Sequence, residues 1–221
     1  MAQGPTLPHT SAFDSKLKTE CGDYDPARAR ALLDLYGFLD KDGDGWRERP
    51  DGSPLVLRVS TQTQARDRKI SEVVNNCMKV LGIRIQHAIA QWPENLKAAR
   101  SGTYQVWSVG GSSASPDSAG AFQKYDSRQI GGQNMGRVRL PQLDRVYDRI
   151  QILPDGPERL AAFREAERIG LAYMPYKYVI NRDSLDMTQK HVVGYRRPVF
   201  WQDWWHYVDI DHSAGTAAKT A

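Results

Sequence analysis

Between Leu55 and Val109 the apolar residues change period four times, and this constrains the fold more than anything else in the chain. Leu55 to Ser60 alternates and is rich in Val and Leu, so it reads as a strand. From Asp67 to Leu81 the apolar positions are Ile70, Val73, Val74, Cys77, Met78 and Leu81, a helical stripe that Gly82 closes. Ile83, Ile85, His87 and Ile89 alternate again, giving a second strand with His87 on its apolar side as a satisfied core histidine. Pro93 opens a short helix through Arg100, Gly102 ends it, and Tyr104 to Val109 forms a third strand. Helices between consecutive strands imply parallel pairing with right-handed crossovers, hence an α/β fold with a β-α-β-α-β core.

The flanks are read the same way. Residues 1–22 carry Pro5, Pro8 and Gly22 with no periodicity and form an extended lead-in. Asp25 is a good N-cap for a helix opened by Pro26, with Ala29, Leu32, Leu33 and Tyr36 on one face. After Gly110 the chain becomes small and polar, a loop at the C-terminal end of a strand, where open α/β sheets place ligands. A short helix is expected over 119–125, and Pro141 opens another with Leu143, Val146, Tyr147 and Ile150 on one face. A longer helix follows from Pro157 to Tyr173, then strands at 176–181 and 191–195. The expected organisation is a lead-in at 1–22, an α/β lobe at 23–109, a ligand loop with C-terminal helices and return strands at 110–211, and a disordered tail at 212–221.

Composition excludes several classes. Thirty basic residues face twenty-six acidic ones and are dispersed, which describes a solvated surface and not a nucleic-acid-binding face. Two cysteines, Cys21 and Cys77, form no CxxC or Cys/His cluster, so neither a disulfide framework nor a zinc site is indicated. No triad order and no Gly-rich phosphate motif is present, so no enzyme and no cofactor is expected. No run reaches the length of a membrane span, and the first thirty residues hold no apolar leader segment. That leaves a chain that is cytoplasmic or has lost its true N-terminus.

Several stretches, in order, resemble family 5 extracytoplasmic solute-binding proteins, the dipeptide, oligopeptide and nickel class of ABC importer. They are YDPARARALLDLYGF, DKDGDGWRERPDGSPLVLRV, LGIRIQ, WPENLKAARSGTYQVWSVGG, LPQLDRVYDRI, PERLAAFREAERIGLAYMPYKYVINR and VVGYRRPVFWQDWWHYVDID, together spanning residues 23–211. The resemblance implies the C-terminal lobe of a type II periplasmic-binding-protein-like clamp, with returning strands that meet a first lobe missing here. It also implies a periplasmic or extracytoplasmic site and, as partners, a peptide-like or other small ligand, a membrane permease and the missing N-terminal lobe. Such clamps close by hinge motion and do no chemistry. The other readings are a non-transport remnant acting as a protein-interaction module, and a basic nucleic-acid-binding domain.

On this basis the ligand contacts are expected at Trp107, Ser112, Ser113, Asp117 and Asn134, the last in a stretch resembling the family's N-Y-x-R. The ligand loop departs from its pattern. Ala114 stands where the family's ammonium-binding Asp is expected, and Gly111 where a Trp is expected. A zwitterionic peptide would lose a charge-assisted hydrogen bond there, on the order of 2 kcal/mol. Asp40, Asp42 and Asp44 have the alternate spacing of a calcium loop, with Asp51 twelfth. Pro50 and Pro54 forbid the following helix, so a solvated Asp/Gly hairpin is expected and no metal is assigned. Trp201, Trp204, Trp205 and Tyr207 are expected to pack as a cluster.

Overall fold

The structure is a computed structural model and describes residues 2–19, 22–200 and 205–213. Cys21, Trp201 and Trp204 lie outside the described residues, as does the tail from residue 214. The chain divides into two compact units. One comprises Thr19–Gly110 with Lys124–Arg139, the other Met1–Lys18, Gly111–Gln123 and Leu140–Ala221.

The first unit is built on a parallel sheet. Strand β1 (Val56–Thr61) lies between β2 (Arg84–Ile89) and β3 (Val106–Trp107) in the order β2-β1-β3. Six residue pairs from Val56↔Arg84 to Thr61↔Ile89 zip β1 to β2, and Val59↔Val106 with Ser60↔Trp107 join β1 to β3. Helices α2 (Ala65–Val80) and α3 (Trp92–Ser101) supply the crossovers, and α1 (Pro26–Leu35) precedes the sheet. Leu55, Val59, Ile83 and Ala99 are its buried apolar residues around the strand and helix ends.

Local chemistry sets the boundaries. Asp25 accepts from the Arg28 N–H to cap α1. Glu94 Oε2 accepts from the Gln91 N–H at the start of α3, and Gly102, at φ +76°, ends that helix in the left-handed region. A side chain at Gly102 would collide with Arg137, whose guanidinium reaches over it to donate to Arg100 O at 3.2 Å. With Tyr104 Oη donating to Met135 O at 2.9 Å, this ties the 124–139 stretch to α3 and β3.

Strand β3 is shorter than the sequence pattern suggests. Only Val106 and Trp107 pair, because the Gln105 side-chain oxygen accepts the Arg58 N–H at 2.7 Å in place of a ladder carbonyl. The stripe on α2 is also only partly covered: Ile70 and Val73 remain exposed, and no α1 residue is buried.

The second unit is built on helices α4 (Pro141–Ile152) and α5 (Pro157–Tyr173). Leu143, Val146, Tyr147 and Ile150 face Ala162, Phe163, Ala166 and the close-packing Gly170. Phe122 stacks on Phe163 with ring centroids 5.5 Å apart. The expected helix over 119–125 is a 3-10 helix, Ser118–Tyr125. Residues 176–181, expected as a strand, run without a ladder, and Val179 and Ile180 are exposed. A strand exists only where its N–H and C=O groups meet a neighbour, and one bond from Ala2 N to Val179 O is not a ladder. Within 191–195 only β4 (Val192–Val193) pairs, antiparallel with β5 (Asp209–Ile210). Trp205 and Tyr207, expected to pack, are both 68% exposed in a 3-10 turn before β5; a two-residue ladder offers too little apolar area to bury an aromatic pair.

The lead-in is anchored in this unit. Glu167 of α5 is only 5% exposed, beneath Gly4 and Thr6, whose hydroxyl donates to Glu167 Oε1 at 3.4 Å. Burial raises its carboxyl to about 7; the Thr6 hydrogen bond and Arg164 oppose this, and Asp14 adds to it. An acid whose folded pKa is raised is best tolerated when protonated. Stability should therefore be full below about pH 4.5 and fall by up to about 3 kcal/mol as pH rises through 7. Urea midpoints across pH 4–8 should show that decline, and Glu167→Gln should flatten it.

Candidate functional site

The C-terminal ends of parallel strands are where backbone ladders stop and side chains converge. In the first unit that edge carries two indoles. Trp107 ends β3 half-buried, and its ring lies 5.2 Å from that of Trp92, tilted by 46°. Trp92 is 44% exposed at the start of α3, so the pair presents an aromatic surface. Beside it is a cavity of about 30 Å³, bounded by Ser60 and Gln62 at the end of β1, Asp67 and Ser71 on α2, His87 on β2, and Trp107.

Asn134, also in the first unit, is fully buried. Its Nδ2 donates to Asp126 O and Val138 O, each at 2.9 Å, and its Oδ1 accepts the Val138 N–H at 3.0 Å. The amide is thus spent on holding the turn between Asp126 and Val138.

In the second unit, residues 111–117 form a chain of side-chain-to-backbone turns. Ser113 Oγ donates to Ser115 O at 2.6 Å, the Asp117 N–H donates to Ser115 Oγ, and the Ala119 N–H donates to Asp117 Oδ1. Ser118 locks the end of the loop, its Oγ accepting the Ala12 N–H and its N–H donating to Ser11 Oγ. Ser112 is exposed and Ser113 half-buried, while the space beside Gly111 is open.

Asp117 belongs to an ionic knot. Arg159, on the first turn of α5 and 11% exposed, donates from Nη2 to Asp117 Oδ2 at 2.8 Å, from Nη1 to Asp155 Oδ1 at 2.6 Å, and from Nε to Ile150 O at 2.9 Å. Its guanidinium also sits 5.2 Å from the Phe163 ring centre. Burial pushes the Asp117 carboxyl up, but the hydrogen bonds from Arg159 and Ala119, with the Arg159 charge, outweigh it and hold the group below the usual carboxylate range. Asp117 therefore stays ionised and already neutralised.

The Asp/Gly hairpin turns its oxygens inward. Ligand atoms of Asp40, Asp42 and Glu48 lie within 4.8 Å of one another. Asp40 accepts the N–H groups of Gly43 and Gly45, Asp42 that of Asp44, and Glu48 that of Lys41. Asp44 pairs with Arg84, away from the other two aspartates. The loop is closed by its own backbone donors, and no metal site is assigned to it.

The match to known proteins follows this geometry. Residues 1–133 match the model of the bacterial extracellular solute-binding proteins, family 5 Middle. The chain belongs to that family. It is similar to di/tripeptide-binding protein 2 of Pseudomonas aeruginosa, at 26% identity over 88% of this chain and 35% of the relative. It is also similar to heme-binding protein A of Haemophilus influenzae, at 22% over 95% of this chain and 37% of the relative. The chain thus spans about a third of the length of the curated relatives it matches. Among solved structures, HbpA2 from Haemophilus parasuis superposes with a TM-score of 0.69 over 95% of this chain and 40% of that one, at 16% identity. The oligopeptide-binding protein AppA from Bacillus subtilis, solved with a nonapeptide, gives 0.67 over 79% and 35%, at 18% identity. These likenesses establish the mixed α/β fold with its parallel sheet. No helix among the described residues is long and apolar enough to cross a membrane.

The sequence pattern missed Trp92, Asp67 and His87 as residues of the sheet edge. Trp92 stands directly before Pro93, three residues after the last residue of a strand, and that position was its only signal.

Two consequences can be measured. Asn134→Ala should lower the urea midpoint by the equivalent of about 3 kcal/mol, since three backbone groups lose their partner. Arg159→Ala should destabilise by about 2–4 kcal/mol and return the Asp117 carboxyl to the ordinary range, read by carboxyl NMR titration.

Proposed function

We propose that this chain is part of the substrate-binding component of an ABC importer for peptides or a related small solute. It takes the solute at the C-terminal edge of its sheet and hands it to a permease in the membrane. The observation that carries the reading is the β2-β1-β3 parallel sheet ending in the Trp92–Trp107 pair, on a chain of this family. Indoles at a strand end supply rigid, weakly directional contact area, as a receptor for varied solutes requires. Within the second unit, Ser112, Ser113 and Asp117 are proposed contacts, as short side chains and backbone groups that would admit a ligand without bulk.

Two features shape the proposed specificity. Ala114 offers no anion, and Asp117, the only acidic residue in 111–117, is already paired with Arg159. A solute with a free ammonium finds no unspent carboxylate in this loop. Asn134, with its amide committed to backbone, enters the reading as a support for the 126–138 turn and not as a contact.

The exposed apolar positions Leu35 on α1, Tyr36 at its C-cap and Val73 on α2 fit a partner surface, in this reading the first lobe. The extended stretch with Val179, Ile180, Leu185 and Met187 exposed favours, as the second reading, a module that binds another protein instead of a solute.

Indole emission separates the two. Trialanine and its N-acetylated, C-amidated form are titrated into the 221-residue chain. A saturable shift with at least one of them, lost in Trp107→Ala, is the expected result. Unchanged emission with both probes up to 10⁻² M, roughly the weakest binding a receptor lobe would show, would overturn solute binding at this edge.

A further inference from the structure

Two residues that line the cavity beside Trp107 each carry a buried polar atom with no hydrogen-bond partner among the described residues. These atoms are Asp67 Oδ2 and His87 Nδ1. The imidazole explains its own half. His87 Nε2 lies 2.9 Å from Asn75 Oδ1. An amide oxygen only accepts, so Nε2 is the donor in this bond, and the tautomer with its proton there leaves a lone pair at Nδ1. Asp67 sits in the first turn of α2, where the helix dipole favours a carboxylate. Its Oδ1 faces the Arg66 guanidinium at 3.8 Å, and its other oxygen is buried.

Two acceptors do not satisfy each other. A guest that fits both must bring two N–H or O–H bonds. The cavity volume of about 30 Å³ admits only a small guest, on the order of a few waters. It excludes an anion, which the two lone pairs would repel. It also disfavours a transition metal, for which the cavity holds one imidazole and one carboxylate among hydroxyls where three or four N, S or O ligands are usual.

We propose that this cavity is a receptor for a small hydrogen-bond donor, a resident water or the primary ammonium tip of a bound solute, held by Asp67 and His87 beneath the Trp107 ring. The ammonium source rests on the solute-binding reading; the water source does not. The site would give the sheet edge a carboxylate oxygen for an –NH₃⁺ group.

The test uses the 221-residue chain with ¹⁵N-labelled histidine. Methylammonium chloride is the probe, and tetramethylammonium, which has no N–H bond, is the control. The expected spectrum shows the His87 tautomer with its proton on Nε2. A saturable change at His87 Nδ1 with methylammonium but not with tetramethylammonium, reduced at least tenfold in the near-isosteric Asp67→Asn, identifies the ammonium source. No change with either cation, together with an ordered water within hydrogen-bonding distance of both atoms in a high-resolution crystal structure, identifies the water source. A direct Asp67–His87 bond with a doubly protonated ring, or stoichiometric Zn²⁺ binding at Nδ1, overturns the proposal. Failure of the trialanine titrations with the cavity donor present would defeat solute binding alone and leave the donor site standing.

Discussion

Parallel pairing of β1 with both neighbours is the constraint on which the first unit depends. A parallel ladder cannot be closed by a tight turn, so each neighbour of β1 must be reached through a crossover helix. That requirement fixes α2 and α3 between the strands and brings all three C-terminal ends to one edge. Trp107 and Trp92 meet there because one closes a strand and the other opens the next helix-bearing segment of the same crossover path. The cavity follows from the same geometry. Its walls come from β1, β2, β3 and the start of α2, separated in sequence and joined only by the parallel register.

Buried polar groups do more than apolar ones to fix the irregular parts. Asn134 answers three backbone groups across the Asp126–Val138 turn. Arg159 ties the helical hairpin, the loop end at Asp117 and the Ile150 carbonyl with one guanidinium. Both follow from the cost of leaving a buried donor or acceptor unmade, which exceeds the net gain of an average bond. The same rule singles out Asp67 and His87. Asp67 Oδ2 and His87 Nδ1, on two residues that line one cavity, are buried side-chain atoms left without a hydrogen-bond partner among the described residues.

How much of this was legible in the sequence depends on how local each signal is. The alternation at 55–60 and 83–89 and the stripe from Ile70 to Leu81 are local, and the strands and helix lie where those periods put them. Pro26, Pro93, Pro141 and Pro157 each stand in the first turn of a helix, as their fixed φ requires. Pairing is not local. Tyr176 to Asn181 has strand composition but forms no ladder among the described residues, and Gln105 takes by side chain a bond that β3 would otherwise have made by backbone. The site was less legible than the fold for the same reason. Trp107 could be placed at a strand end, but its meeting with Trp92, the sealing of Asn134 and the pairing of Asp117 with Arg159 are all contacts across sequence.

The charge pattern of the loop carries the argument about specificity furthest. A carboxylate that faces a solute must either be free or be matched by a cation only when the solute is absent. Asp117 is held at two atoms, Oδ2 by Arg159 and Oδ1 by the Ala119 N–H, and Arg159 is itself anchored to Asp155 and to a backbone carbonyl. Withdrawing Asp117 toward a solute would leave a nearly buried guanidinium short of one charged partner, a cost of a few kcal/mol that a single new hydrogen bond does not return. Asp117 is therefore committed to the packing of its own unit. In the proposed reading, solute contact in the first unit rests on the ring faces of Trp92 and Trp107.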